Sequence, residues 1–163
     1  MVGKIKKFRT IAFYASKKGK REQQIIQQLE EIILNLDLKI LYPSSSLLRG
    51  SSGIKTVSDN YVIKQADLVM AIGGDGTLLS CSREFGKAGL PILGINLGNL
   101  GFLNDIPPND LTNSLIEILE GNYILDNRFF LKAGINGELQ KDIALNEIVI
   151  HSGSIAQLIE YDV

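Results

Sequence analysis

The segment Gly73-Gly74-Asp75-Gly76-Thr77 sets one acid among three glycines. Glycines let backbone N–H groups come close to an anion, and a helix starting at such a loop adds the positive end of its dipole. A carboxylate there would repel a bound phosphate, so Asp75 needs a reason of its own. It can cap the helix through its side chain. It can hold a Mg²⁺ ion that bridges phosphates. It can take a proton from an attacking hydroxyl. The residues leave these three open, although a cap has no use for two glycines before it.

Two further segments carry polar groups of the right kind. Asn96-Leu97-Gly98-Asn99-Leu100-Gly101-Phe102 holds two amides that can bond a ribose, phosphate or base, and an aromatic ring that can stack on adenine. A plain turn packed by Leu100, Phe102 and Leu103 is the competing account. Asn146-Glu147 falls in the run Ile143 to His151. Read as a strand, Ile143, Leu145, Glu147, Val149 and His151 share one face, and Glu147 is an acid on an apolar face. A buried lone carboxylate is costly, so Glu147 should line a cavity, have a partner, or lie on an exposed edge. His151, the sole histidine, is read as structural, and Arg83 as part of a solvated helix face.

The elements that must position these groups follow from periodicity. Thr10 to Ala15, Lys39 to Tyr42, Leu68 to Ile72 and Pro91 to Ile95 read as strands. Arg21 to Leu36, Thr56 to Ala66, Thr77 to Lys87 and Asn109 to Glu120 read as helices, the last stopped by Gly121. Leu68 to Ile72 is fully apolar, as a buried parallel strand should be. Alternating strands and helices predict an α/β fold, an open, mainly parallel sheet with helices on both faces. Ligands of such sheets bind outside the carboxyl ends of the strands. Both glycine loops leave those ends.

The character changes near Asn122. Tyr123 to Ile135, Glu138 to Ile150 and Ile155 to Val163 read as extended, and Asn136-Gly137 is a strong hairpin signal. The expected organisation is an α/β nucleotide-binding domain over 1–122, then the first strands of an antiparallel β domain over 123–163. Three strands seldom complete a domain, so the sequence reads as the first part of a longer chain.

Bulk properties narrow the class. Of the 163 residues, 45% are hydrophobic and 21% charged, and the net charge of −1 gives no general attraction to nucleic acid or anionic membrane. No apolar run approaches the roughly 20 residues a membrane helix needs. Cys81 is the only cysteine, which rules out an intrachain disulfide and suits a cytoplasmic location. Lysines and arginines crowd the stretch from Lys4 to Arg21, either as a solvated edge or as a basic rim beside an anion site.

Taken in order, Gly73-Gly74-Asp75-Gly76, the segment Gly94 to Leu103 and Asn146-Glu147 resemble the three motifs of the NAD kinase family. The first alone is shared with lipid kinases and phosphofructokinases; the second is far more specific. The resemblance implies phosphoryl transfer from ATP, or in some members polyphosphate, to the 2′-hydroxyl of the adenosine ribose of NAD, with Mg²⁺ or another divalent cation. It implies Asp75 as proton acceptor, with Gly73, Gly74, Asp75 and Gly76 at the substrate. It implies Phe102 against the adenine, Asn99 among the binding residues, and Asn146 and Glu147 on the other ribose. It also implies a dimer or tetramer at full length, small-molecule nucleotides as the only partners, and weak or no activity for these residues alone. A lipid kinase of the diacylglycerol or sphingosine type is the alternative enzyme, and a nucleotide-binding module without chemistry the alternative class.

Overall fold

A computed structural model of the chain describes residues 8–17, 19–50, 54–97, 106 and 110–149. The chain divides into two compact units between Asn127 and Arg128.

In the first unit the strands are β1 (Thr10–Tyr14), β2 (Lys39–Pro43), β3 (Thr56–Val57), β4 (Leu68–Gly73) and β5 (Ile92–Asn96). They form one parallel sheet in the order β3-β2-β1-β4-β5. Ile106 adds an isolated parallel bridge to Ile95, outside β5. The helices are α1 (Lys20–Asn35), α2 (Asp59–Gln65), α3 (Asp75–Glu84) and α4 (Leu111–Glu120).

Side-chain alternation along the strands splits the core in two. Ile11, Phe13, Ile40, Tyr42, Leu68, Met70 and Ile72 pack with Ile26, Leu29 and Ile33 of α1 and Leu111, Leu115 and Leu119 of α4. Ala12, Tyr14, Leu41, Val69 and Ala71 pack with Val62 of α2, with Leu78 and Cys81 of α3, and with Phe85 just past it. Helices therefore cover both faces, as expected for a sheet whose strands are apolar throughout. Phe13 and Tyr42 meet edge to face at 5.6 Å between ring centroids, and Tyr14 meets Phe85 at 5.8 Å. The Tyr42 hydroxyl donates to Glu30 Oε1 at 2.7 Å, giving the hydroxyl a buried acceptor on α1. Burial first, and then this bond, hold the Tyr42 hydroxyl in its neutral form well above the usual tyrosine range.

Three local expectations are corrected. Thr56 and Val57, expected in a helix, form a short strand against Tyr42 and Pro43. Both residues are β-branched, and Ser58 caps α2 by accepting from the Tyr61 amide. β2 runs one residue beyond the expected Tyr42: Pro43 is its last residue, with Val57 as its register partner. The helix expected from Thr77 begins two residues earlier, at Asp75, and ends at Glu84, before a single 3₁₀ turn at Gly86–Ala88. Gly121 ends α4 at φ 105°, as its position suggested.

In the second unit, Asn136 (φ 52°) and Gly137 (φ 84°) make the hairpin turn between β6 (Gly134–Ile135) and β7 (Glu138–Leu139). Two positive φ angles match the Asn-Gly signal. The long strands expected around this turn are not formed over the described residues. Pairing there is limited to β6 with β7 and one antiparallel bridge, Leu131 to Ala144.

Candidate functional site

Strand order places the site. From β1 the chain continues to one side of the sheet through α1, and from β4 to the other side through α3. The two helices lie on opposite faces. The switch point, where such sheets bind ligands, therefore lies at the carboxyl ends between β1 and β4. Gly73 is the last residue of β4 and pairs in register with Asn96, the last of β5. The Leu97 amide donates to the Gly73 carbonyl at 3.3 Å. The starts of the two glycine loops are therefore neighbours, as their places in the sequence predict.

Gly73 is required by the fold. Its φ is +153°, and a Cβ there would lie 2.4 Å from Thr77 Oγ1 and 2.9 Å from Thr77 Cβ. Gly74 and Gly76 are different: a Cβ at either would meet nothing within 4 Å. Neither has a φ in the left-handed region. Packing does not explain glycine at these two positions.

The N-cap of α3 is Gly74, and no side chain caps it among the described residues. Asp75 is the first helical residue, which removes the side-chain cap from its three possible roles. Its charge in the first turn still favours the helix dipole, by about 0.3–1 kcal/mol. Thr77 is buried, and its Oγ1 lies 2.8 Å from Ser16 Oγ, just past β1. Nothing in the sequence flagged Ser16. Arg83 is exposed on α3 and bonds Ser80 Oγ at 3.3 Å, as a solvated face should.

Asn99, Phe102 and His151 lie outside the described residues. Asn146 and Glu147 belong to the second unit, and both are exposed. The expected strand from Ile143 to His151 is absent over 143–149, so the argument from a buried acid does not apply to Glu147. A cavity of about 200 Å³ lies between α1 and the loop after β2, lined by Gln23, Glu30 and Arg49 among others; none of the predicted site residues lines it. Among the described residues, no group of three or more His, Cys, Asp or Glu could hold a metal ion. No helix among them is long and apolar enough to cross a membrane.

A family model described as the ATP-NAD kinase N-terminal domain matches residues 10–123. The chain belongs to the NAD kinase family. An NAD kinase from Pseudomonas entomophila is 33% identical over 164 residues, covering 98% of this chain and 55% of the relative. One from Marinobacter nauticus is 36% identical over 160 residues, covering 95% and 54%. The chain thus spans about half the length of the curated NAD kinases it matches. A crystal structure of yeast NADH kinase complexed with NADH superposes with a TM-score of 0.61 at 18% identity, over 78% of this chain and 42% of that one. That likeness concerns the fold.

Proposed function

We propose that the protein is an NAD kinase, with Asp75 as the base and the Gly73–Gly76 loop as one wall of the dinucleotide site. Asp75 takes the proton of the ribose 2′-hydroxyl as its oxygen bonds to the γ-phosphorus of ATP. The bond to the β-phosphate oxygen breaks, and ADP leaves. Such a transfer depends on positioning and charge stabilisation more than on covalent chemistry by the protein. Backbone groups at Gly74 and Gly76, which carry no side chain, lie open to the substrate. Asp75 is the one acid in this loop and suits a divalent cation carried mainly by the phosphates; when bound, the cation would offset their charge. Asp75 and Gly76 lie at the adenosine ribose, with Gly73 and Gly74 completing the loop beside the substrate; Phe102 lies against the adenine, Asn99 is a further binding residue, and Asn146 and Glu147 bond the second ribose. Polyphosphate is a second donor to test. The reading includes a cytoplasmic homo-oligomer, a dimer or tetramer, and a domain boundary near Asn122.

The observation that carries this reading is the open space at Gly74 and Gly76. Gly74 still serves the fold as the N-cap of α3, but at Gly76 the fold gains nothing from glycine, so the missing side chain there serves a ligand. The test is Gly76→Ala in the full-length protein. Ala in a helix is better than Gly by roughly 0.5–1 kcal/mol, so stability should hold or rise. NADP formation should nevertheless fall at least tenfold. Asp75→Asn should abolish turnover while NAD binding is largely kept. Full turnover in both variants would overturn the reading, and lipid phosphorylation without NADP formation would move it to the lipid kinases.

A further inference from the structure

Ser16 belongs to none of the three motifs, and the proposed reaction gives it no role. It stands just past β1, across the switch point from the glycine loop. Its Oγ lies 2.8 Å from Thr77 Oγ1, a contact between residues 61 apart in sequence. Thr77 is 6% exposed, and its side chain occupies the space a Gly73 side chain would need. How the Thr77 hydroxyl is held therefore decides how the first turn of α3 seats on the end of β4.

Ser16 is itself braced. The Ala15 amide donates to Ser46 Oγ at 3.0 Å. The Ala15 carbonyl accepts from the Leu47 amide at 2.9 Å. Ser46 is fully buried, and its Oγ also accepts from the Leu48 amide at 3.2 Å. Both backbone groups of Ala15 are thus clamped by the loop after β2. A continuous line of bonds runs from that loop through Ala15 and Ser16 to Thr77, two residues beyond Asp75.

We infer that Ser16 is a positioning residue for the glycine loop. Its hydroxyl bridge to Thr77 fixes the first turn of α3, and with it the aim of the Asp75 carboxylate. Only the catalytic half of this inference rests on Asp75 being the base. The structural half concerns the loop whatever it binds.

The experiment reads both halves in the full-length protein, with Ser16→Ala, Ser16→Thr, Thr77→Val and the Ser16→Ala/Thr77→Val double variant. The amides at positions 77 and 78 both donate to the Gly74 carbonyl, at 2.9 and 3.2 Å, and report on the first turn. Losing one hydrogen bond should speed their hydrogen exchange about fivefold in Ser16→Ala and in Thr77→Val. The double variant should go no further, because both single changes remove the same bond. Ser16→Thr keeps the hydroxyl and should stay near wild type, and α1 amides should be unmoved. In turnover, kcat should fall about fivefold in Ser16→Ala while KM for NAD and ATP stays within about twofold. Unchanged exchange at 77 and 78, additive single effects, or faster exchange across the whole sheet would overturn the loop-positioning claim. Normal kcat in Ser16→Ala would overturn its catalytic half. Absence of NADP formation in wild type, with the exchange pattern intact, would refute the kinase reading and leave the positioning of the loop standing.

Discussion

Replacing Gly73 with alanine should damage both the fold and the site, and the structure gives the size. The new Cβ would stand 2.4 Å from Thr77 Oγ1, 2.9 Å from Thr77 Cβ and 3.3 Å from Thr77 Cγ2. Ordinary contact begins near 3.4 Å, so Thr77 must retreat by about 1 Å. Thr77 cannot yield by turning its side chain alone, because its Cβ is also too close. The φ of +153° adds backbone strain for any L residue. Strain of this kind costs about 1–3 kcal/mol. Overpacking of a well-filled site adds about 1–3 kcal/mol. A loss of roughly 3 kcal/mol in urea unfolding is expected, with the m-value unchanged. A displacement near 1 Å in a positioning site also costs turnover roughly a hundredfold. Gly73→Ala combined with Thr77→Ala removes the hydroxyl and methyl but leaves the Thr77 Cβ at 2.9 Å. The pair should therefore be less destabilised than the sum of the singles, without returning to wild type. Gly73→Ala unfolding within about 0.5 kcal/mol of wild type would refute the account of why glycine stands there.

Tyr42→Phe removes the hydroxyl that donates to Glu30 Oε1 and should cost about 1–3 kcal/mol in unfolding, since Glu30 stays buried beside an apolar ring. Stability should fall at alkaline pH. Burial holds Cys81 and Tyr42 neutral in the fold, above their ordinary values of 9.0 and 10.0. Their contributions are complete below those values and are lost as pH rises beyond them, at up to about 1.4 kcal/mol per pH unit for each group. Cys81→Ala should flatten the part of this loss that begins near pH 9, as read by urea midpoints from pH 8 to 11. Gly121→Ala forces a side chain onto φ 105° at the end of α4 and should cost about 1 kcal/mol, with turnover unaffected.

The first unit was legible because its elements are long and its signals local. The apolar run from Leu68 to Ile72 could only be a strand covered on both faces, and all six residues of β4 are buried. The Ile25, Ile26, Leu29, Ile32 and Ile33 spacing gave α1 to within a residue at each end. What escaped depends on partners distant in sequence. β3 is two residues long, and nothing local distinguishes Thr56-Val57 from a helix start until β2 lies beside it. Ser16 meets Thr77, and Ser46 meets Ala15, only because the sheet order brings β1, β2 and β4 together. Beyond Asn122 the sequence is apolar enough to read as strands, yet Ile124 is 96% exposed and Phe129 77%. An extended segment becomes a strand only when a neighbour takes its N–H and C=O groups. Asn136-Gly137 succeeded there because a tight turn is the one β feature fixed by two adjacent residues.

The four letters of Gly73-Gly74-Asp75-Gly76 looked like one device, and the structure separates them by what each answers to. Gly73 answers to the fold, since φ and Thr77 both forbid a side chain. Gly74 serves the fold as the N-cap of α3, where glycine suits better than alanine, and Gly76 answers to nothing in the fold, since a side chain there would stand in open space. Asp75 begins the helix without capping it. A purely structural loop would not carry glycine where alanine fits, because alanine restricts the unfolded chain and stabilises the helix. Stability and turnover should therefore respond in opposite patterns along the loop. Alanine at position 73 should lower both, whereas alanine at position 76 should spare or raise stability and lower turnover alone. Measured on the same preparations, that divergence separates a loop shaped by its own packing from one shaped by a substrate.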